Sequence, residues 1–207
     1  SQVLDNLEAF IKKLSIIIIS GRTGTGKTRI LEELEKRGEN IIDLEQLAQH
    51  RGSLLGSLPG VEQPQQKLFE TSLCNRIMNL KFKNKVFIEA ESSKIGSIQI
   101  PRPLWEAMRT SPQVLIKSDR ASRAVYLLKD YENLKKDPQD LFELFRLLEK
   151  SGLYEIAEKC RNFVVQKDWI SLANVLLQSH YDKRYDRSIK SQERQTIMEF
   201  ELADHNQ

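Results

Sequence analysis

Residues 21 to 28 read Gly21-Arg22-Thr23-Gly24-Thr25-Gly26-Lys27-Thr28, a complete GxxxxGK[ST] string set between the apolar run Ile16 to Ile19 and the amphipathic segment Arg29 to Arg37. That order is strand, loop, helix. Glycines let the backbone curl so that successive amide N–H groups point at phosphate oxygens, Lys27 adds a mobile positive charge, the Thr28 hydroxyl can hold Mg²⁺, and the new helix aims its positive end at the same place. The loop predicts a bound phosphate chain and an α/β fold, a P-loop NTPase-like parallel sheet flanked by helices.

The rest of the chain extends this pattern. Ile30, Leu31 and Leu34 share a helical face, and Gly38 follows as a C-cap. Asn40-Ile41-Ile42-Asp43 is a short second strand ending in a carboxylate. Residues 44 to 64 hold Gly52, Gly56, Pro59, Gly60 and Pro64, and a connection this long in a compact domain points to function. Phe69, Leu73, Ile77 and Leu80 form one helical stripe. Val86-Phe87-Ile88 is a buried strand running into Glu89-Ala90-Glu91-Ser92, and Val114-Leu115-Ile116 follows a short helix around Trp105 to Met108. Beyond Asp119 helical spacing takes over, in segments 121–135, 139–150, 153–166 and 168–180, broken at Asp137-Pro138, Ser151-Gly152 and Lys167-Asp168. Three parts are expected: a P-loop α/β domain over 1–119, an all-helical appendage over 120–187, and a polar, flexible tail over 188–207.

Composition narrows the partners only slightly. Lys plus Arg number 32 against 29 Asp plus Glu, a net +3, so any nucleic-acid surface must be a local patch. The cysteines, Cys74 and Cys160, lie far apart without a CxxC and suggest packing in a reducing, cytoplasmic setting. The longest aliphatic run is four isoleucines, against the about 20 apolar residues of a membrane span. No secretory signal is visible.

Candidate chemistry clusters at strand ends, where a P-loop projects its phosphates. Asp43, Glu89 and Glu91 qualify as Mg²⁺ ligands beside Thr28. His50 suits a hydrogen-bonding loop residue, and Arg51 beside Gly52 and Ser53 is placed to meet an anion. Near the C-terminus, Tyr181, Lys183, Arg184, Tyr185 and Arg187 interleave base-stacking and phosphate-binding side chains, as expected of an RNA-contacting segment.

The strings GRTGTGKT, IIDLEQLAQHRGSLLG, QPQQKLFE, IEAESSKIG, IPRPLWEAM and HYDKRYD, in that order, resemble the P-loop half of tRNA 2-selenouridine synthase, from about Ile16 through Asp186. The family replaces the sulfur of 2-thiouridine at the wobble position of certain tRNAs with selenium drawn from selenophosphate. The resemblance also implies an S-geranylated intermediate made from geranyl diphosphate. Carried onto this chain, it implies a transferase component in which Gly21, Arg22, Thr23, Gly24, Thr25, Gly26, Lys27 and Thr28 bind that diphosphate or a nucleotide. Asp43, Glu45, His50, Arg51 and Ser53 would line the adjoining site with Gln63, Gln66 and Glu70, and Glu89, Glu91 and Ser92 would close it; Mg²⁺ would sit at Thr28 and Asp43. The partners implied are the anticodon stem-loop of tRNA and a rhodanese domain. Only residues 1 to 13 precede the first strand region, and some members are two separate chains, so the rhodanese is expected either as a separate subunit or in a part of the protein outside this sequence. The family pattern expects an arginine after Glu91-Ser92, where this chain has Ser93 and Lys94. Two other functions fit the loop: a nucleotide or small-molecule kinase with Arg120 or Arg123 as lid arginine, and a non-catalytic, nucleotide-gated tRNA-binding subunit.

Overall fold

The computed structural model of the chain describes residues 2–52, 56, 58, 60–81, 84–130, 132, 139–190 and 194–202. They divide into two compact units, one of Ser1–Gly21, Lys27–Ile116 and Gln192–Phe200, the other of Arg22–Gly26, Lys117–Ser191 and Glu201–Gln207. The break between the units falls after Ile116. The middle of the phosphate loop groups with the helical unit.

The first unit is built on a sheet. Strand β1 (Ser15–Gly21) lies at its centre, parallel to β3 (Lys85–Glu89) on one side and β6 (Gln113–Lys117) on the other, and β2 (Asn40–Ile42) extends it beyond β3. Because side chains alternate along a strand, Ile16 and Ile18 face one way and Ile17 and Ile19 the other, and all four are buried. Ile16 and Ile18 join a core with Leu7 of α1 (Gln2–Ile11), Phe69 and Leu73 of α4 (Gln66–Met78), and Leu104 and Met108 of α5 (Arg102–Thr110). Helix α2 (Lys27–Lys36), whose Leu31 is fully buried, packs on β1, β2 and β3. Covering both faces of a parallel sheet is the reason four isoleucines run in succession. The stripe Phe69, Leu73, Ile77 and Leu80 is buried as its spacing predicts, and Gly38 takes the left-handed conformation (φ +84°) expected of a helix end.

Three segments add elements to those expected. Residues 2–11, ahead of the first expected strand, form α1, with Leu7 and Ile11 buried. Residues 94–99 form a hairpin of β4 (Lys94–Ile95) and β5 (Ile98–Gln99), with Ile95 and Ile98 buried. The segment 188–207, expected to be a flexible tail, contains β7 (Thr196–Glu201), which adds to the sheet beside β6 in the order β2-β3-β1-β6-β7. Gln113 N donates to Gln195 O, and the Gln113 side-chain amide donates to the Thr196 hydroxyl. Polar side chains do not preclude a strand at an edge, because the backbone makes the ladder.

The second unit contains α6 (Arg120–Asp130), α7 (Gln139–Lys150), α8 (Tyr154–Gln166), α9 (Trp169–Leu176), a π-helical turn (Leu177–Tyr181) and α10 (Asp182–Lys190). The breaks at Ser151-Gly152 and Lys167-Asp168 are as expected: Gly152 and Lys167 adopt positive φ, and Asp168 caps α9 by accepting from Ser171 N at 3.1 Å. The break at Asp137-Pro138 lies outside the described residues. Leu144, Phe145, Leu148, Ala157 and Cys160 are buried on α7 and α8, and Ala124, Ala173 and Leu177 form a second cluster. Cys74 and Cys160 are both buried free thiols, which fits packing, and burial raises the Cys160 thiol to about 11. Among the described residues no helix is long and apolar enough to cross a membrane.

Candidate functional site

In the first unit, Asp43 ends β2 and opens α3 (Leu44–Ala48), its carboxylate accepting from Gln46 N at 2.8 Å as an N-cap. Helix α3 closes on Gln49 in the left-handed conformation, and His50 N donates to Glu45 O at 3.0 Å. This tight turn brings Gly52 back over the helix. A Cβ at Gly52 would fall 2.4 Å from Glu45 Oε1 and 2.7 Å from Glu91 Oε2, so glycine suits the φ of +64° and any side chain there would displace the two carboxylates. Glu89, at the end of β3, completes the group: one carboxylate oxygen from each of Glu45, Glu89 and Glu91 lies within 4.8 Å of the others.

Glu89 is buried, and its Oε1 has no hydrogen-bond partner; its Oε2 accepts from the Thr28 hydroxyl at 3.4 Å. Burial is the main reason its carboxyl lies well above the ordinary range, with repulsion from Glu91 and Asp43 adding to it. Burial likewise raises Glu45, helped by Glu89 and Glu91, and raises Asp43 and Glu91. Lys27 opposes the shift at Glu45, Glu89 and Glu91. Its ammonium donates to the Gly21 carbonyl at 3.3 Å, a long bond that a stronger anion can replace. Four carboxyls grouped around one lysine cannot all stand ionised and alone.

Other expected site residues take supporting roles. His50 is buried, and its Nδ1 accepts from Gly52 N at 3.1 Å, which places the ring proton on Nε2; burial lowers its basicity, so the ring is neutral near pH 7. Gln63 is fully engaged: its amide donates to Ala48 O (3.1 Å) and Ile95 O (3.0 Å), and its carbonyl accepts from Ser97 N (2.7 Å) and Ser97 Oγ (3.0 Å). Gln66 donates to Glu70 (2.8 Å) and Gln99 O (2.8 Å) and accepts from Gln99 N (2.9 Å). Gln63, Gln66 and Glu70 therefore tether α4 and the preceding chain to the β4–β5 hairpin. The Ser92 hydroxyl donates to Lys94 O, and Arg51 N donates to Gly56 O at 2.8 Å. Ser53 lies outside the described residues.

In the second unit, the family-like string HYDKRYD forms the π turn's end and α10. Asp182 and Asp186, one helical turn apart, face residues of the phosphate loop: Arg22 Nη2 meets Asp186 Oδ1 at 2.8 Å and Arg22 Nη1 lies 3.8 Å from Asp182 Oδ2. Arg123 of α6 forms a bidentate pair with Asp182, both bonds 2.8 Å, and donates to Thr23 O at 3.1 Å. With a side chain only 2% exposed, Arg123 is no lid arginine, which corrects that part of the kinase reading. Lys183, Arg184 and Arg187 are exposed on the same helix. Tyr181 packs beside Ala124, Ala173 and Leu177, its ring edge-on to His180 at 5.1 Å, and like Tyr185 it is half-buried. The partners Asp182, Asp186 and Arg123 were not among the expected site residues; two aspartates at i and i+4 inside a basic helix are the signal for them.

Similarity to known proteins bears on what this arrangement belongs to. The profile described as tRNA 2-selenouridine synthase AAA domain matches residues 14–162. Proteins named tRNA 2-selenouridine synthase are similar to it: that of Alcanivorax borkumensis is 31% identical over 89% of this chain and 57% of its own length. That of Marinobacter nauticus is 37% identical over 62% of this chain and 34% of its own, and that of Hydrogenovibrio crunogenus is 28% identical over 92% and 59%. The chain spans less than two thirds of the length of these relatives. With the phosphate loop, the strand-end acids and a profile match running from β1 into α8, the chain belongs to the tRNA 2-selenouridine synthase AAA domain family.

Proposed function

We propose that this chain is the phosphate-binding component of a tRNA-modifying transferase that acts on 2-thiouridine at the wobble position. The observation that carries the reading is the juxtaposition of Lys27 and Thr28 with the buried Glu89 and its neighbours. In this reading residues 21–28 bind the diphosphate of geranyl diphosphate, or a nucleotide, and Lys27 leaves the Gly21 carbonyl to meet the phosphate oxygens. The thiocarbonyl sulfur attacks C1 of the geranyl group, the C1–O bond breaks, the diphosphate leaves with the electron pair, and the N3 proton of the base is released. An ionised carboxylate at the edge of the acid group can accept that proton.

A diphosphate beside so many carboxyls needs a cation between them. The orphaned Glu89 Oε1 and the all-oxygen donors of Thr28, Glu45, Glu89 and Glu91 suit Mg²⁺. Asp43 is engaged as the cap of α3 and drops out of the ligand set in this reading. Bound there, Mg²⁺ would offset the charge of the diphosphate. The anticodon stem-loop would lie on Lys183, Arg184 and Arg187, and selenium from selenophosphate would be delivered with a rhodanese partner, since both cysteines here are buried.

The test is geranylation of thiolated tRNA by the purified chain with geranyl diphosphate and Mg²⁺, read by mass spectrometry of the digested nucleosides. S-Geranyl-2-thiouridine is expected. ATP hydrolysis with transfer of phosphate to a small molecule would support the kinase reading, and tRNA binding with neither product would leave a binding subunit.

A further inference from the structure

Arg123 is nearly inaccessible, with a side chain 2% exposed, and its Nε is buried without a hydrogen-bond partner. Its two terminal nitrogens bond both oxygens of Asp182, and one of them also bonds the carbonyl of Thr23. A buried ion pair is a weak source of stability, and one that leaves a donor unsatisfied is weaker still; apolar side chains of similar volume serve a core as well or better. Stability gives no reason for this pair. Its geometry does, because it ends on the backbone of the phosphate loop.

A second observation comes from Gly24. Its φ is +82°, and a Cβ there would lie 2.9 Å from the Arg123 carbonyl oxygen, 3.1 Å from Leu127 Cγ and 3.2 Å from Arg123 Cβ. The loop backbone therefore rests directly on α6 at the residue that carries the buried pair. Arg22 to Asp186 is a third contact from the loop to α10, but both side chains are about half exposed, so water screens it.

We propose that the buried Arg123–Asp182 pair is a positioning device for the phosphate loop: Asp182 fixes the guanidinium in the one orientation that reaches Thr23 O, and residues 22–24 are thereby ordered before a phosphate chain arrives. Neither residue touches the ligand. Their contribution is preorganisation, since a loop ordered in advance does not lose that conformational freedom on binding. The inference rests on the reading of residues 21–28 as a diphosphate site.

The experiment is calorimetric titration of the full chain with inorganic diphosphate and Mg²⁺, alongside thermal melting. The double variant Arg123→Met with Asp182→Leu removes both charges together, so it retains packing without an unpaired ion. It is expected to melt near the wild-type temperature yet bind diphosphate about tenfold or more weakly. Arg123→Lys keeps the charge but offers one nitrogen where the guanidinium uses two, so it cannot hold both carboxylate oxygens and Thr23 O in the same fork geometry, and it is expected to show the same loss; it also decides the matter if the double variant fails to fold. Wild-type affinity in either folded variant overturns this inference alone. Absence of diphosphate binding by the wild-type chain overturns the functional reading and this inference with it.

Discussion

The Thr28 hydroxyl lies 3.4 Å from Glu89 Oε2, joining the last residue of the phosphate loop to a buried carboxyl whose other oxygen has no partner. A hydroxyl at the start of one helix and an acid at the end of a neighbouring strand share a point where phosphate and cation can meet. Most of what can be tested about the chain follows from that point and from the supports around it.

Glu89→Gln should stabilise the cation-free protein at neutral pH. Burial, then Glu91 and Asp43, raise the Glu89 carboxyl, so the folded chain holds its proton more tightly than the unfolded chain. This contribution is neutral below the unfolded value of about 4.3 and becomes increasingly unfavourable as pH rises toward the folded value, staying so beyond it. The melting temperature of the variant minus that of wild type, in chelator, should grow from pH 4 to pH 8. Mg²⁺ or Mn²⁺ should raise the wild-type melting temperature and leave the variant unmoved. A difference that shrinks with pH would contradict the assignment.

Lys27→Ala should abolish diphosphate binding and leave the fold intact. The ammonium makes one long bond to the Gly21 carbonyl and acts on Glu45, Glu89 and Glu91 through its charge alone, so its removal exposes no core. Calorimetry with inorganic diphosphate, paired with circular dichroism, measures both halves; unchanged affinity would remove the lysine from the site.

Gln63→Ala should cost stability, about 1 to 3 kcal/mol, without changing diphosphate affinity. The side chain satisfies Ala48 O, Ile95 O and Ser97 N, which lose those partners together in the variant. Urea denaturation reports the loss. A folded variant of wild-type stability with weakened ligand binding would return Gln63 to the pocket.

Gly52→Ala should disturb the acid group itself, because the new methyl group meets Glu45 and Glu91 and the backbone is left-handed there. A destabilisation of about 1 to 3 kcal/mol is expected, with loss of the Mg²⁺-induced thermal shift. Retention of that shift would show that the carboxylates can open without consequence.

Alanine at Lys183, Arg184 and Arg187 together should weaken tRNA binding and flatten its salt dependence by up to about three phosphate contacts. Asp182 and Asp186 keep their bonds to Arg123 and Arg22, so melting temperature and diphosphate affinity should hold. Filter binding across a range of salt concentrations reads the slope. Survival of both affinity and slope would place the RNA elsewhere.

The phosphate loop, the strand and helix that flank it along the chain and the helical stripes were legible in the sequence because each is a local pattern. Glycine spacing sets backbone shape, the isoleucine run announces a strand buried on both faces, and Phe69, Leu73, Ile77 and Leu80 repeat at the helical period. Tertiary structure decided the rest. Glu45, Glu89 and Glu91 converge only because β2 and β3 are neighbours and Gly52 lets the turn close over them. Arg123 and Asp182 are 59 residues apart, and nothing local distinguishes a charged residue that will be buried from one that will stay in water. Tyr181 was drawn toward solvent by its basic neighbours in sequence but toward Ala124 and Leu177 by the packing of the helices. Hydrophobic periodicity is a property of a short stretch of chain; the pairing of polar groups is a property of the space that the stretches enclose once packed, which is why the loop could be read directly and its supports could not.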